Sequence, residues 1–448
     1  MRRNYQLTRW WGAWSESGVV PTPSTAFSHC PKLIDAGAGT VHAGPMTLLA
    51  DATDFFGTEA LQDPYPLYDR MRDQAPVQRI GDSTFYAVCS WDAVMEAVNR
   101  VEDFSSNLTA TMVYRDGTVT PFDMGPLGGP QHALATADDP LHDAHRKLLV
   151  PHLAAKRIRV IEEFAEATAR ELWTQGLIDG RIEWMSAMAN RLPMMVVADL
   201  LGLPQDDVEK LIRLGYATTT LLDGVVSQTE LDAAGAAAME LAGYVMEHFA
   251  KAGENPSPGL IGDLAARYAS GEVEQMPAMA IMLTLFSAAG ESTASLLGSA
   301  AWILATHSDI QEQLRAQPEL LGAFIEEALR YESPFRGHYR HVVRDTTLAG
   351  VDLPADSRLL LMWGAANRDP GHFDNANEFR LDRKGGKGHI TFGKGAHFCV
   401  GAALARLEAQ IVFRTLLDQT TWIEAADVGQ WLPSILVRRL DRLELAVR

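Results

Sequence analysis

The stretch HITFGKGAHFCVGAALARLE, residues 389–408, sets a lone cysteine, Cys399, among Gly393, Gly395 and Gly401, with His397 two residues before it. Downstream, Val400, Leu404, Leu407 and Ile411 recur at helical spacing, so the cysteine sits just before or at a helix N-terminus. Glycine admits unusual dihedrals and lets a backbone approach a bulky planar group. Unpaired amides and the positive end of a helix dipole favour a thiolate there. No second cysteine is near, which disfavours zinc and iron–sulfur sites, since these need several ligands. A single thiolate suffices as the axial ligand of a haem iron. On spacing alone, an inert buried cysteine in a glycine turn is the commoner outcome.

The rest of the chain narrows the choice. Its 448 residues are 47% hydrophobic and 21% charged, a soluble globular composition, and the length allows one large domain or two. With 57 acidic against 39 basic residues the net charge is −18, which argues against a nucleic-acid partner. Three cysteines, Cys30, Cys89 and Cys399, make no disulfide framework and fit a reducing cytoplasmic setting. The opening MRRNYQLTRWWGAWSES has arginines but no following apolar run, so no secretory signal is expected. The longest apolar stretch, MPAMAIMLTLFSAAG at 276–290, is shorter than a membrane span, so a buried core helix and no membrane anchor are expected.

Residues 1–50 carry Gly, Pro and Ser without periodicity and read as a flexible extension; 51–448 reads as one domain. Asp63 and Pro64 suit a helix start. Two strands around Gly81–Asp82 lead to a helix from Trp91, and strands return around Gly350. Between Asp139 and Glu332 the pattern is helical, with Ile161, Phe164, Ala165, Thr168 and Leu172 on one face of a helix ending at Gly176 or Gly180. The fold class is mainly α with a small β part.

The segment FGKGAHFCVG resembles the haem-binding loop of cytochromes P450: Phe392, Gly395, Cys399 and Gly401 fill every slot of its pattern. Glu327 and Arg330 in EEALRY match the family's Glu-x-x-Arg pair upstream, and WGAANRDP at 363–370 resembles the bacterial wording. The likeness covers roughly residues 51–448 and is in the style of soluble actinobacterial, mycobacterial members. It implies the P450 fold, with haem b between a long distal helix and the helix after the cysteine loop, and Cys399 as the axial ligand.

By the same resemblance, His142, Arg146, Arg340 and His397 contact the haem propionates and Phe392 belongs to the haem loop. AAGEST resembles the oxygen-activating segment, with Glu291 in the acid slot, Ser292 in the threonine slot and Thr293 next; a second register puts Thr293 in the threonine slot. A hydroxyl and a carboxylate there would deliver protons for splitting dioxygen. The family's arginine before phenylalanine is here Glu378, which leaves the third partner of Glu327 and Arg330 open between Arg380 and Arg383.

The resemblance implies a haem-thiolate monooxygenase acting on a small hydrophobic substrate with dioxygen. No flavin or iron–sulfur signature occurs, so a separate ferredoxin and ferredoxin reductase are implied. Arg383, Lys384, Lys387, Lys394 and Arg406, with His145, Lys147, Lys156, Arg157 and Arg159, are candidates for a cationic docking face. Phe104, Met112, Phe122, Met124, Leu221 and Leu222 suit an apolar substrate cavity and equally suit core. Rival readings are a haem-thiolate catalyst of oxidative coupling or rearrangement, and a haem-containing binding or sensing protein without turnover.

Overall fold

The chain enters its main sheet through β1 (Leu49–Ala50), which pairs in parallel with β2 (Val77–Ile80). These are the last two residues of the segment read above as an extension; residues 1–48 lie outside the described part. The computed structural model describes residues 49–124, 132–255, 258–383 and 388–448. Beyond a turn at Gly81, whose φ of +52° suits glycine, β3 (Phe85–Val88) runs antiparallel to β2. Further strands are β4 (Phe104–Ser105), β5 (Ala110–Arg115), β6 (Thr118–Asp123), β7 (Arg181–Glu183), β8 (His338–Val342), β9 (Thr346–Leu348), β10 (Val351–Leu353), β11 (Arg358–Leu361), β12 (Ile423–Val428) and β13 (Leu443–Val447). The largest sheet has the order β1-β2-β3-β11-β8-β4, so strands from before and after the helical stretch meet in one sheet, while β12, β13 and β7 form another.

Eight helices place the site: α1 (Leu141–Leu149), α2 (Ala155–Gly176), α3 (Arg191–Leu201), α4 (Val208–Thr219), α5 (Gln228–Glu254), α6 (Gln275–Thr306), α7 (Leu321–Tyr331) and α8 (Ala402–Asp418). The stripe predicted for α2 is its buried face: Ile161, Ala165, Leu172 and Trp173 pack with Leu297, Ala300 and Leu304 of α6 and with Val412 and Phe413 of α8. This shared core fixes α6 and α8 relative to each other.

The apolar stretch at 276–290 is only the first half of α6. The helix runs on through a polar stretch whose hydroxyls are satisfied within it: Ser292, Ser295 and Ser299 donate to the carbonyls four residues back at 2.5, 2.9 and 2.7 Å. At 32 residues α6 is long and apolar enough to cross a membrane, contrary to the length expected from the sequence. Its second half is buried among the other helices, which is the position of a core helix.

Candidate active site

The glycines of the cysteine loop do what their spacing implies. Gly393 and Gly395 take φ of +68° and +69°, and the turn closes when the Cys399 amide donates to the Phe392 carbonyl at 2.8 Å. Cys399 then lies three residues before Ala402, the first residue of α8, with Gly401 as N-cap. Its surface opens onto a cavity of about 1550 Å³, counting solvent at the mouth, between the loop and α6. Burial pushes the thiol up, against the pull of the Gly401 amide, Arg146, Arg406 and the Ala402 amide. A bound metal ion would supply charge that favours the thiolate and would deprotonate the thiol.

Across the cavity stands α6. Its lining residues Leu285, Ala288, Ala289, Ser292, Thr293 and Leu296 form one helical stripe. The five-residue π turn Phe286–Gly290 widens the helix at this point. Ser292 Oγ is bound to the Ala288 carbonyl, whereas Thr293 makes no side-chain hydrogen bond among the described residues. Glu291 falls off the stripe and is not in the cavity wall. It is buried, and its carboxylate accepts from Thr219 Oγ1 of α4 and pairs with Arg439 Nε at 3.1 Å. Burial pushes its pKa up, against the pull of Arg439 and Thr219.

Basic residues from three elements converge on another part of the wall: His142 and Arg146 from α1, Arg340 from β8 and His397 from the cysteine loop. The His142 and His397 rings lie 4.0 Å apart, and His397 Nε2 is 2.9 Å from Ser106 Oγ. Among the described residues His397 Nδ1 is buried without a partner, and Arg340 reaches only the Tyr339 carbonyl, at 2.8 Å. Burial, with Arg340 and His142 beside it, lowers His397 to about 4, and burial lowers Arg340 to about 10. Arg146 donates to the Phe398 carbonyl at 2.9 Å. Unspent donors around one edge of a cavity suit a doubly anionic ligand edge such as haem propionates. The thiol, the cavity beside it and this edge fit the group that the resemblance implies. Phe392 lines the same cavity, with the Arg406 guanidinium 4.4 Å above its ring.

Below the loop, the open question at Glu327 closes. Arg330 binds its carboxylate at 2.8 and 2.9 Å, Arg383 Nε approaches both oxygens at 3.0 and 3.1 Å, and Arg380 supplies only a backbone amide. Arg383 is thus the third partner and is lost to the docking face. Arg406 is bound to Glu326 and His145 is buried, while Lys384 and Lys387 lie outside the described residues. None of the six apolar residues suggested for a substrate cavity lines this one: Phe104, Met112 and Leu221 are core and Phe122 packs against it. Glu408, on α8, is a wall residue that the sequence reading did not single out. It is buried in the cavity wall, and its position on the Leu404–Ile411 stripe is the signal that marks it.

Comparison with known proteins agrees with this geometry. Residues 264–435 match the family profile of cytochrome P450. Cytochrome P450 144 of Mycobacterium tuberculosis (strain ATCC 25618 / H37Rv) is 65% identical over 418 residues, 93% of this chain and 96% of that protein. The beta-dihydromenaquinone-9 omega-hydroxylase of the same organism is 30% identical over 399 residues, 88% of this chain and 78% of its own. Among solved structures, substrate-free CYP150A6 of Mycobacterium marinum superposes with a TM-score of 0.74 at 26% identity, over 87% of this chain and 97% of that one. A cysteine facing a small-residue helix across a haem-sized cavity, carried by a chain with these relatives, is the arrangement of a monooxygenase, and the chain belongs to the cytochrome P450 family.

Proposed function

We propose that this chain inserts one atom of dioxygen into a hydrophobic organic substrate, with haem b held by the Cys399 thiolate and electrons drawn from a separate ferredoxin and its reductase. The observation that carries the reading is Cys399 facing Ser292 and Thr293 across one cavity. When bound, the haem supplies the site for dioxygen reduction, and the thiolate pushes electron density toward O–O cleavage. The protein's own residues do the rest. Arg340, His397, His142 and Arg146 fix the carboxylate edge of the cofactor. The apolar lining, Leu285, Leu296 and Val197 among it, excludes water and holds an apolar substrate. The hydroxyls of Thr293 and Ser292 hold and pass protons, and Glu291 relays them from the Arg439 side of α6. The hydroxylase among the relatives, named for an isoprenoid quinone substrate, supports oxygen insertion into apolar molecules.

The first test is the absorption spectrum of the reduced, carbon-monoxide-bound protein. A red-shifted Soret band that Cys399→His abolishes is expected; its absence from the wild type removes the reading. The second compares product formed per reduced nicotinamide consumed. Thr293→Ala and Ser292→Ala should each lower this ratio several-fold, and unchanged coupling in both would strip the hydroxyls of their role.

A further inference from the structure

The ring of His397 makes one hydrogen bond among the described residues: its Nε2 lies 2.9 Å from Ser106 Oγ, while its buried Nδ1 has no partner. Ser106 directly follows β4, and β4 pairs with β8, Phe104 opposite Val342 and Ser105 opposite His341. The strand that carries Arg340 therefore also places Ser106. Asp138 fixes the same turn from another side. One of its carboxylate oxygens accepts the Ser106 amide at 2.8 Å, and the other accepts Ser105 Oγ.

A neutral imidazole has one donor nitrogen and one acceptor, and the hydrogen bond made by one decides the role of the other. Here the serine hydroxyl makes that choice. Ser106 is buried, and His397 Nε2 is the only partner of its Oγ among the described residues. If Oγ accepted from an Nε2–H, its own proton would stay buried and unspent, so the hydroxyl donates to Nε2. The ring proton then belongs on Nδ1. The opposite tautomer would leave a lone pair at Nδ1, which a carboxylate cannot satisfy.

Neighbouring groups do not compete for the ring. Ser105 Oγ is spent on Asp138, and His142, whose ring lies 4.0 Å from that of His397, turns its Nδ1 to Asp139 at 3.2 Å. Ser106 is not itself in the cavity wall, whereas His397 is, so any effect of the serine on a ligand passes through the histidine.

We propose that Ser106, held by Asp138, is the positioning residue that sets the tautomer of His397, so that Nδ1 offers an N–H to an anionic ligand edge in the cavity. The inference rests on the haem-thiolate reading above, which supplies a ligand with such an edge.

The test uses the reduced, carbon-monoxide-bound holoenzyme, whose iron has no unpaired electron to broaden nuclear signals. Its absorption spectrum is recorded first. Without the thiolate band the haem-thiolate reading fails and takes this inference with it. With the band present, nitrogen-15 NMR of protein carrying labelled histidine reads the tautomer, and His397→Asn identifies the His397 signals by their loss. Wild type should show a protonated Nδ1 and a bare Nε2. Ser106→Thr, which keeps a hydroxyl, should keep that pattern. Ser106→Ala should lose it and should release haem to apomyoglobin several-fold faster than wild type. A wild-type ring protonated at Nε2, alone or together with Nδ1, overturns the proposal, as does a Ser106→Ala variant with the wild-type tautomer or the wild-type rate of haem release. Should the Ala variant fail to hold haem, the wild-type spectrum decides: a proton on Nδ1 alone supports the proposal, and one on Nε2 refutes it.

Discussion

At the scale of single residues, Glu408 and Glu291 show how one side-chain type is held in two ways. Both are buried, but Glu291 has Arg439 and Thr219, whereas one oxygen of Glu408 has no partner. Burial alone pushes Glu408 up to about 8. A carboxyl whose pKa is higher folded than unfolded is neutral in the fold at pH 7. It favours folding fully below the unfolded value, near 4.3, and that contribution is lost as pH rises through about 8. Replacing it by glutamine removes the ionisation. The apparent Tm of Glu408→Gln should therefore decline less than wild type between about pH 5 and 8, by several degrees, and the two should change in step above about pH 8. Parallel Tm curves across that range would mean that Glu408 is already charged or is satisfied in solution. The helical stripe at Leu404–Glu408–Ile411 was legible in the sequence; the missing partner was not, because it depends on what the neighbouring elements fail to present.

At the scale of elements, legibility follows the distance along the chain over which a contact forms. The Glu327–Arg330 pair was readable as i, i+3 neighbours on one helix, but Arg383 reaches the same carboxylate from 56 residues away, and only the chain path brings it there. Both partners of the pair are almost wholly buried and Arg383 nearly so, which makes the group expensive to break. Glu327→Leu leaves two buried guanidiniums without their carboxylate and should cost about 3–5 kcal/mol. Urea unfolding would show this as a lower midpoint, and a loss below about 1 kcal/mol, the range of a surface pair, would refute it. The β5–β6 hairpin is the opposite case, a local signal that was passed over. Asp116 and Gly117 both take positive φ, +50° and +80°, as a two-residue hairpin turn demands, and Asp-Gly is a favoured pair for it. A proline such as Pro121 within TVTPFD removes a ladder donor, yet β6 tolerates it because the sheet has only two strands and β6 is an edge.

At the scale of the whole molecule, a chain of net charge −18 is proposed to receive electrons from an acidic ferredoxin, and only local charge reconciles the two. Several of the cations that the sequence offered are committed internally, as described for Arg383, Arg406 and His145. Lys147 and Lys394 remain exposed near the site, Lys147 on α1 with Asp143 as its partner at 2.6 Å and Lys394 in the cysteine loop. The exposed Lys147–Asp143 pair is weak, because solvent screens it, so the lysine remains available to an approaching carboxylate. Charge reversal, Lys147→Glu or Lys394→Glu, should slow reduction by ferredoxin several-fold at low ionic strength. Reduction by a small chemical donor should not change, since it needs no docking face. The difference should shrink as salt is raised, because the Debye length falls from about 30 Å at 0.01 M to about 10 Å at 0.1 M. Stopped-flow reduction at several salt concentrations separates the cases. Equal rates for both variants and wild type at the lowest salt would place the electron's entry elsewhere on the surface, and equal slowing with the chemical donor would mean that the substitutions disturb the site rather than the encounter.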